Sequence, residues 1–259
     1  MTKQHENYRE LIWMLAKTDF KLRYHGSVLG YLWALLKPLL MFLILNFVFS
    51  SLFNPRNTGS EFYSLQLIIS IMMFNFFAEG TSAGMGSLLS KAQLVTKIYV
   101  PRWTIIIAST INAALIYVMN FIVIVGFFAY KQFLPSFPAI LMFLIFSVMI
   151  YVLILSFSLI TAPLFVKFRD LSMIWEVVTQ ILFFASPIVY PLTMMPEYTQ
   201  KALLMNPIAF IIHFTKESIT NNHFADPIQY VLFFTIIAIG FGLSILSYRK
   251  FILKVAEEI

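Results

Sequence analysis

Six long apolar runs divide the chain, roughly residues 28–53, 62–78, 103–130, 139–166, 173–192 and 229–248. A bilayer core is about 30 Å thick, so a helix needs ~20 mostly apolar residues to cross it. Every run meets or approaches that length. The pattern predicts an all-α integral membrane protein with six transmembrane helices per chain. It is read as one transmembrane domain over 1–259, with spans 1–5 inside 28–192 and the sixth span and a tail in 229–259.

The segments between the runs have patterns of their own. Residues 5–25 place Tyr8, Leu11, Ile12, Leu15 and Leu22 on one side at helical spacing, with Glu10, Lys17 and Lys21 opposite. This predicts an amphipathic interfacial helix within 1–27, apolar side toward lipid tails and basic side toward headgroups. Trp13, Phe20 and Tyr24 suit the same interface. His25-Gly26-Ser27 then turns the chain into the membrane. Residues 84–101 read as a loop with a short helix, carrying Leu88, Leu89, Leu94 and Val95 on a nominally wet segment. Apolar side chains in such a place call for cover by a partner. Residues 193–228 are too long for a hairpin and too apolar to be loose. The core 202–214, broken at Asn206-Pro207, is too short to span and suits short re-entrant outer helices between spans five and six. Non-helical backbone at membrane depth is tolerated only against protein or a water-filled cavity, so this segment is expected to cap a pathway.

Composition agrees with a lipid setting. Hydrophobic residues make up 60% and charged residues 12%, with mean hydropathy +0.84; soluble domains carry about 25% charged residues. There is no cysteine, which excludes disulfides and thiolate chemistry. Residues 1–27 mix charge and apolar side chains throughout, unlike a cleaved signal, so the N-terminal segment is expected to be retained.

Charge also orients the spans. Segments 1–27, 79–102, 167–172 and 249–259, with Lys37, hold 14 of the 18 basic residues; Arg56, Lys131, Lys201 and Lys216 remain for the other side. Cytoplasmic loops retain Lys and Arg, so both termini are expected in the cytoplasm. The net charge of +6 is then an orientation signal and needs no nucleic acid to explain it.

Candidate chemistry is sparse. No G-x-x-x-x-G-K-[ST] phosphate loop, H-E-x-x-H or Gly-x-Ser-x-Gly motif occurs. His5, His25, His213 and His223 lack metal-ligand spacing, so no metal and no catalytic residue is assigned. Glu79 and Glu176 stand near span ends, where structural pairing competes with function. Lys37, beside Pro38 in the first span, either snorkels to the interface or serves a polar lipid-phosphate entrance. Aromatic residues reach 17%. Tyr31, Trp33 and Phe42 in span one, with Phe183, Phe184 and Tyr190 in span five, are candidates to line a conduit. An integral-membrane lipid or sugar transferase would need convergent acids, His or a metal site, and a proton-coupled carrier would need mid-membrane charge.

Several ordered segments resemble a known family. They are Arg23-Tyr-His-Gly-Ser-Val-Leu-Gly-Tyr-Leu-Trp33, Lys37-Pro38-Leu39, Lys97-Ile-Tyr-Val-Pro-Arg102, Phe168-Arg-Asp-Leu171, Ser186-Pro-Ile-Val-Tyr190 and Asn206-Pro207. In order and spacing the chain resembles the type-2 ABC permeases that export polysaccharide, nearest to the O-antigen lipopolysaccharide exporters. The resemblance implies a homodimer in a bacterial inner membrane, with two copies of a separate ATP-binding subunit that holds ATP and Mg. No cofactor is expected on this chain. It implies an undecaprenyl-pyrophosphate-linked polysaccharide as substrate, with capsular or teichoic-acid polymers as alternatives. It implies an extracytoplasmic gate in 193–228 and an ATPase-coupling loop with Leu88, Leu89, Lys91, Leu94, Val95 and Lys97. Arg23 and Lys37 are assigned to the substrate entrance, because Arg binds phosphate through paired charge-assisted bonds.

Overall fold

The computed structural model describes residues 8–24, 26–50, 62–97 and 100–252; the side chains of residues 24 and 95–97 fall outside that description. Ten α-helices occupy the described residues: α1 Tyr8–Tyr24, α2 Trp33–Phe49, α3 Tyr63–Ser90, α4 Ala92–Lys97, α5 Arg102–Tyr130, α6 Phe137–Lys167, α7 Leu171–Phe184, α8 Glu197–Leu204, α9 Pro207–Thr220 and α10 Pro227–Phe251. Short 3₁₀ turns, Gly30–Leu32 and Leu192–Met194, lead into α2 and α8.

Five stretches are long and apolar enough to cross a bilayer: Gly30–Phe49, Tyr63–Ser90, Arg102–Tyr130, Phe137–Lys167 and Pro227–Phe251. The sixth apolar run differs from expectation. Its helix, α7, stops after 14 residues, about 21 Å of rise. Ser186-Pro187 halts the helix, because Pro lacks an N–H and disfavours helical backbone in the residue before it.

The contacts show how α7 and the residues after it lie against α3. Trp175 on α7 donates through Nε1 to Thr81 Oγ1 at 3.1 Å. Phe183 meets Phe74 edge-on, and beyond the break Val189 accepts a 2.8 Å bond from the Tyr63 hydroxyl through its carbonyl. From Thr81 to Tyr63 is about 27 Å along α3. Residues 185–190 continue from α7 as a series of turns and bends along α3. Their buried polar groups are met by the protein: Lys216 Nζ donates to Pro187 O, and Asn206 Nδ2 to Ser186 Oγ at 3.3 Å.

Both described ends of the chain lie at one end of the bundle. Arg23 on α1 bonds Glu79 on α3, and Arg102 at the start of α5 donates to the Ile252 carbonyl at 2.8 Å. A small apolar cluster of Leu88, Ile105, Ile106, Leu159, Ala162 and Val166 closes this end, with Leu15, Ile245 and Tyr248 against it. The larger core fills the rest, centred on α3 and including Phe146, Phe210, Phe214 and Phe233. At the opposite end α6, α9 and α10 all start with Pro in the first turn, where its missing N–H costs nothing. Asn206 adds a side-chain cap to Ile208 N at 3.0 Å.

The helix α3 runs well past the predicted limit of residue 78. The stretch Glu79-Gly-Thr-Ser-Ala-Gly-Met-Gly-Ser87 reads as polar, yet its small residues pack against α6. A Cβ placed on Gly84 would lie 1.9 Å from Ser158 Oγ, and one on Gly80 would lie 2.6 Å from Ile154 Cδ1. Small residues of this kind let membrane helices approach closely. The outer faces of α2 and α10 are apolar and exposed, with Leu43, Ile44, Phe47, Val231, Ile236 and Leu243 among them. Such faces would be an aggregation hazard in water and are normal against lipid.

Replacing Gly84 by Val should cost about 1–3 kcal/mol through overpacking. Thermal unfolding in detergent should show the loss, while Gly126→Ala, with nothing within 4 Å of the new Cβ, should leave the midpoint in place. Equal midpoints for both variants would mean that the α3–α6 contact is not tight.

Candidate functional site

The site forms where α1, α2, α3 and α5 meet at the basic end. α1 lies across this end. Tyr8 packs edge-on to Trp103 with centroids 5.6 Å apart, and Ala16 is fully buried. Its Asp19 is paired with Lys91, just beyond α3. Trp13, Met14 and Leu22 stay exposed, so this amphipathic helix has a protein side, and its apolar residues divide between protein and surroundings. At its end, Arg23 Nη2 lies 3.1 Å from Glu79 Oε2. Lys37 Nζ, about one turn into α2, lies 3.6 Å from the other carboxylate oxygen, Oε1. One carboxylate thus bridges two cations from two different helices, and the cluster keeps a net charge of +1.

The three charges sit at the edge of a pocket of about 330 Å³ that continues between α2, α3 and α5. Its inner wall includes Asn75, Phe76, Tyr117 and Asn120. Phe76 and Tyr117 stack at 4.3 Å with their planes 4° apart, and the Tyr117 hydroxyl lies 3.0 Å from Ser147 Oγ. Arg23 also borders a second recess, with Asp19, Lys91, Ser109 and Asn112. The arrangement can exchange a carboxylate for another anion without moving the cations into lipid.

Arg23 and Lys37 are the two residues that sequence reasoning singled out, and the structure brings them together. It also adds the residue that joins them. Glu79 showed only as an acid near a span end; its partners lie 56 and 42 positions away, beyond any local pattern. Asn75 and Asn120 were missed, although Asn75 and Glu79 share a helix face at the i, i+4 spacing.

The aromatic candidates divide. Phe42 is only 3% exposed and packs edge-on against Phe127 at 5.0 Å; it is a core residue of this chain, not a free conduit wall. Trp33 borders the pocket. Tyr31 stacks on Phe20 at 5.1 Å. Phe183 is half-buried between Phe74 and Phe184, while Phe184 is 72% exposed. Tyr190 donates to the Phe184 carbonyl at 3.0 Å, which closes the turn after α7.

The expected coupling loop also needs correction. Residues 84–90 continue α3, and Leu88, 0% exposed, points into the apolar cluster at the basic end. Its apolar character is explained inside the chain, without a partner. Leu94 packs against the same cluster, and Lys91 pairs with Asp19. Leu89 is partly exposed, and the short helix α4 stands beside it. The side chains of Val95 and Lys97 lie outside the described residues. At the opposite end, the Lys201 ammonium 2.7 Å from the Glu197 carboxylate holds that carboxyl below its ordinary range. Among the described residues, no group of three His, Cys, Asp or Glu is placed to hold a metal.

Residues 10–219 match the family described as ABC-2 type transporter. The chain belongs to this family. With its five long apolar helices, it is a multi-pass membrane protein. It is 27% identical over 243 residues to the O-antigen export system permease protein RfbA of Klebsiella pneumoniae, covering 93% of each chain. The Myxococcus xanthus protein of the same name is 25% identical over 79% of this chain and 78% of its own. The polysialic acid transport protein KpsM of Escherichia coli is 23% identical over 90% of each.

Replacing Lys91 by Met should loosen α1. Removing one partner of a half-buried ion pair leaves the other charge unpaired. Hydrogen exchange of α1 amides should quicken ~10-fold, the equivalent of about 1.4 kcal/mol of local stability. Unchanged exchange in α1 would show that the pair does not hold the helix down.

Proposed function

We propose that this chain is the permease subunit of an ABC exporter that moves a lipid-linked polysaccharide of the O-antigen type across the bacterial inner membrane. The observation that carries the reading is the Arg23–Glu79–Lys37 cluster, set at the pocket mouth on the basic end of a membrane bundle. Full-length similarity to O-antigen permeases supports the substrate class.

In this reading the chain crosses the membrane six times, with the fifth crossing built from α7 and residues 185–191. The basic end is cytoplasmic, by the positive-inside rule. Undecaprenyl pyrophosphate, the proposed carrier, presents its phosphates at the interface beside α1. The diphosphate displaces Glu79 and is held by the Arg23 fork and the Lys37 ammonium. ATP and Mg belong to two copies of a separate ATP-binding subunit, which docks at α4 and the adjoining Leu89. ATP binding there shifts α4, and through the Lys91–Asp19 pair it shifts α1 and the cluster. Two copies of this chain complete the conduit, with the exposed Trp33 and Phe184 as wall residues, and α8 and α9 form the outer gate. The chain itself is a transport subunit and catalyses no reaction.

The likeness to the polysialic acid transport protein supports a second reading, a capsular polymer. The two are separated by which polymer accumulates inside cells that lack this chain.

ATP-driven export from vesicles holding this chain and its ATPase tests the entrance. Arg23→Ala should reduce export at least ~10-fold, the worth of one charge-assisted phosphate contact. Arg23→Lys should keep part of it, since lysine retains the charge without the fork. Export unaffected by Arg23→Ala would remove the cluster from the pathway.

A further inference from the structure

Beyond the charged mouth, the pocket holds two asparagine amides that the protein leaves unused. Asn120, on α5, is 5% exposed, and its Oδ1 is buried without a hydrogen-bond partner. Its amide makes no bond to any described residue. Asn75, on α3, is half-buried and likewise makes none. More than nine-tenths of buried polar groups in folded proteins are paired, so an unpaired amide beside an open pocket needs an account. An amide supplies both donors and an acceptor, a combination that matches vicinal hydroxyls and carries no preference for anions. Polar groups are costly inside an apolar bundle. Tyr117 and Phe76, stacked on each other and buried, also line the pocket.

The position is as informative as the chemistry. Asn75 precedes Glu79 by one helical turn, about 6 Å. A group bonded directly to a phosphate held at Arg23 and Lys37 would reach Asn75, and Asn120 lines the same pocket. The pocket volume of about 330 Å³ lies at the small end of ligand sites, which limits the guest to the head group and one ring.

The geometry points to a binding site for the first sugar of the lipid-linked glycan, with Asn75 and Asn120 hydrogen-bonding its hydroxyls. This rests on the diphosphate reading of Arg23 and Lys37 and deepens it. The permease then reads the sugar next to the diphosphate as well as the charge, while later sugars pass unread. A carrier lipid stripped of its glycan, with the same charge, is a poorer ligand and does not occupy the transporter.

The full-length chain in lipid nanodiscs tests this with two probes: undecaprenyl pyrophosphate, and the same lipid bearing one N-acetylhexosamine. Wild type should bind the sugar-bearing lipid roughly 10-fold more tightly, the worth of one or two neutral hydrogen bonds. Asn120→Leu and Asn75→Ala should each reduce that preference and leave affinity for the bare lipid unchanged, which also reports that the variants are folded. Asn120→Ser, smaller and still polar, replaces the Leu variant if it does not accumulate. Equal wild-type affinity for the two lipids, or variants weakened equally toward both, overturns the sugar site and leaves the diphosphate reading standing. A wild type that binds neither lipid removes the diphosphate reading, and the sugar site with it.

Discussion

A single carboxylate on the most buried helix holds the functional end of this molecule together. Glu79 lies on α3, the helix around which the core is built, and it meets cations from α1 and α2. A charge near a membrane span is stable only with a partner or with water. Here Glu79 is the shared partner of two cations and draws three helices together, while Lys37 also reaches water. The end of α1, the start of α2 and the mouth of the pocket all follow from that requirement. Two cations share this one carboxylate, which leaves one positive charge over.

The same constraint on unpaired polar groups governs the segment after α7. A complete helix would satisfy its own backbone; α7 stops short, and residues 185–190 continue as turns and bends. Tyr63 and Lys216 satisfy carbonyls of this stretch. Lys216 is only 4% exposed, an unusual place for an ammonium group, and the Pro187 carbonyl in the turn after α7 is what it meets there. The outer segment is therefore anchored to the bundle through α9, while α8 remains near the surface.

Much of this was legible in the sequence, and the rest fails for identifiable reasons. Apolar run length located five spanning helices because lipid imposes that length on any crossing. It overestimated the sixth, where apolar residues continue through a non-helical break at Ser186-Pro187. It ended α3 too early, because glycine and serine lower hydropathy whether they face water or make a tight helix contact; Gly84 against Ser158 is the second case. Arg23 and Lys37 could be singled out from charge, position and family resemblance. Their bridge through Glu79 depends on which faces of α2 and α3 meet, and the near-uniform apolarity of α2 carries no such signal. Phe42 and Leu88 show the same limit: in lipid, apolar residues point inward and outward alike, so periodicity does not separate core from surface.

The direct test of the account is a structure of this chain with its ATPase in nanodiscs, with undecaprenyl pyrophosphate bound. The account predicts diphosphate density between Arg23 and Lys37, with the Glu79 carboxylate turned away from both. Lipid phosphates bound elsewhere, with the Arg23–Glu79 pair still closed at about 3.1 Å, would contradict it.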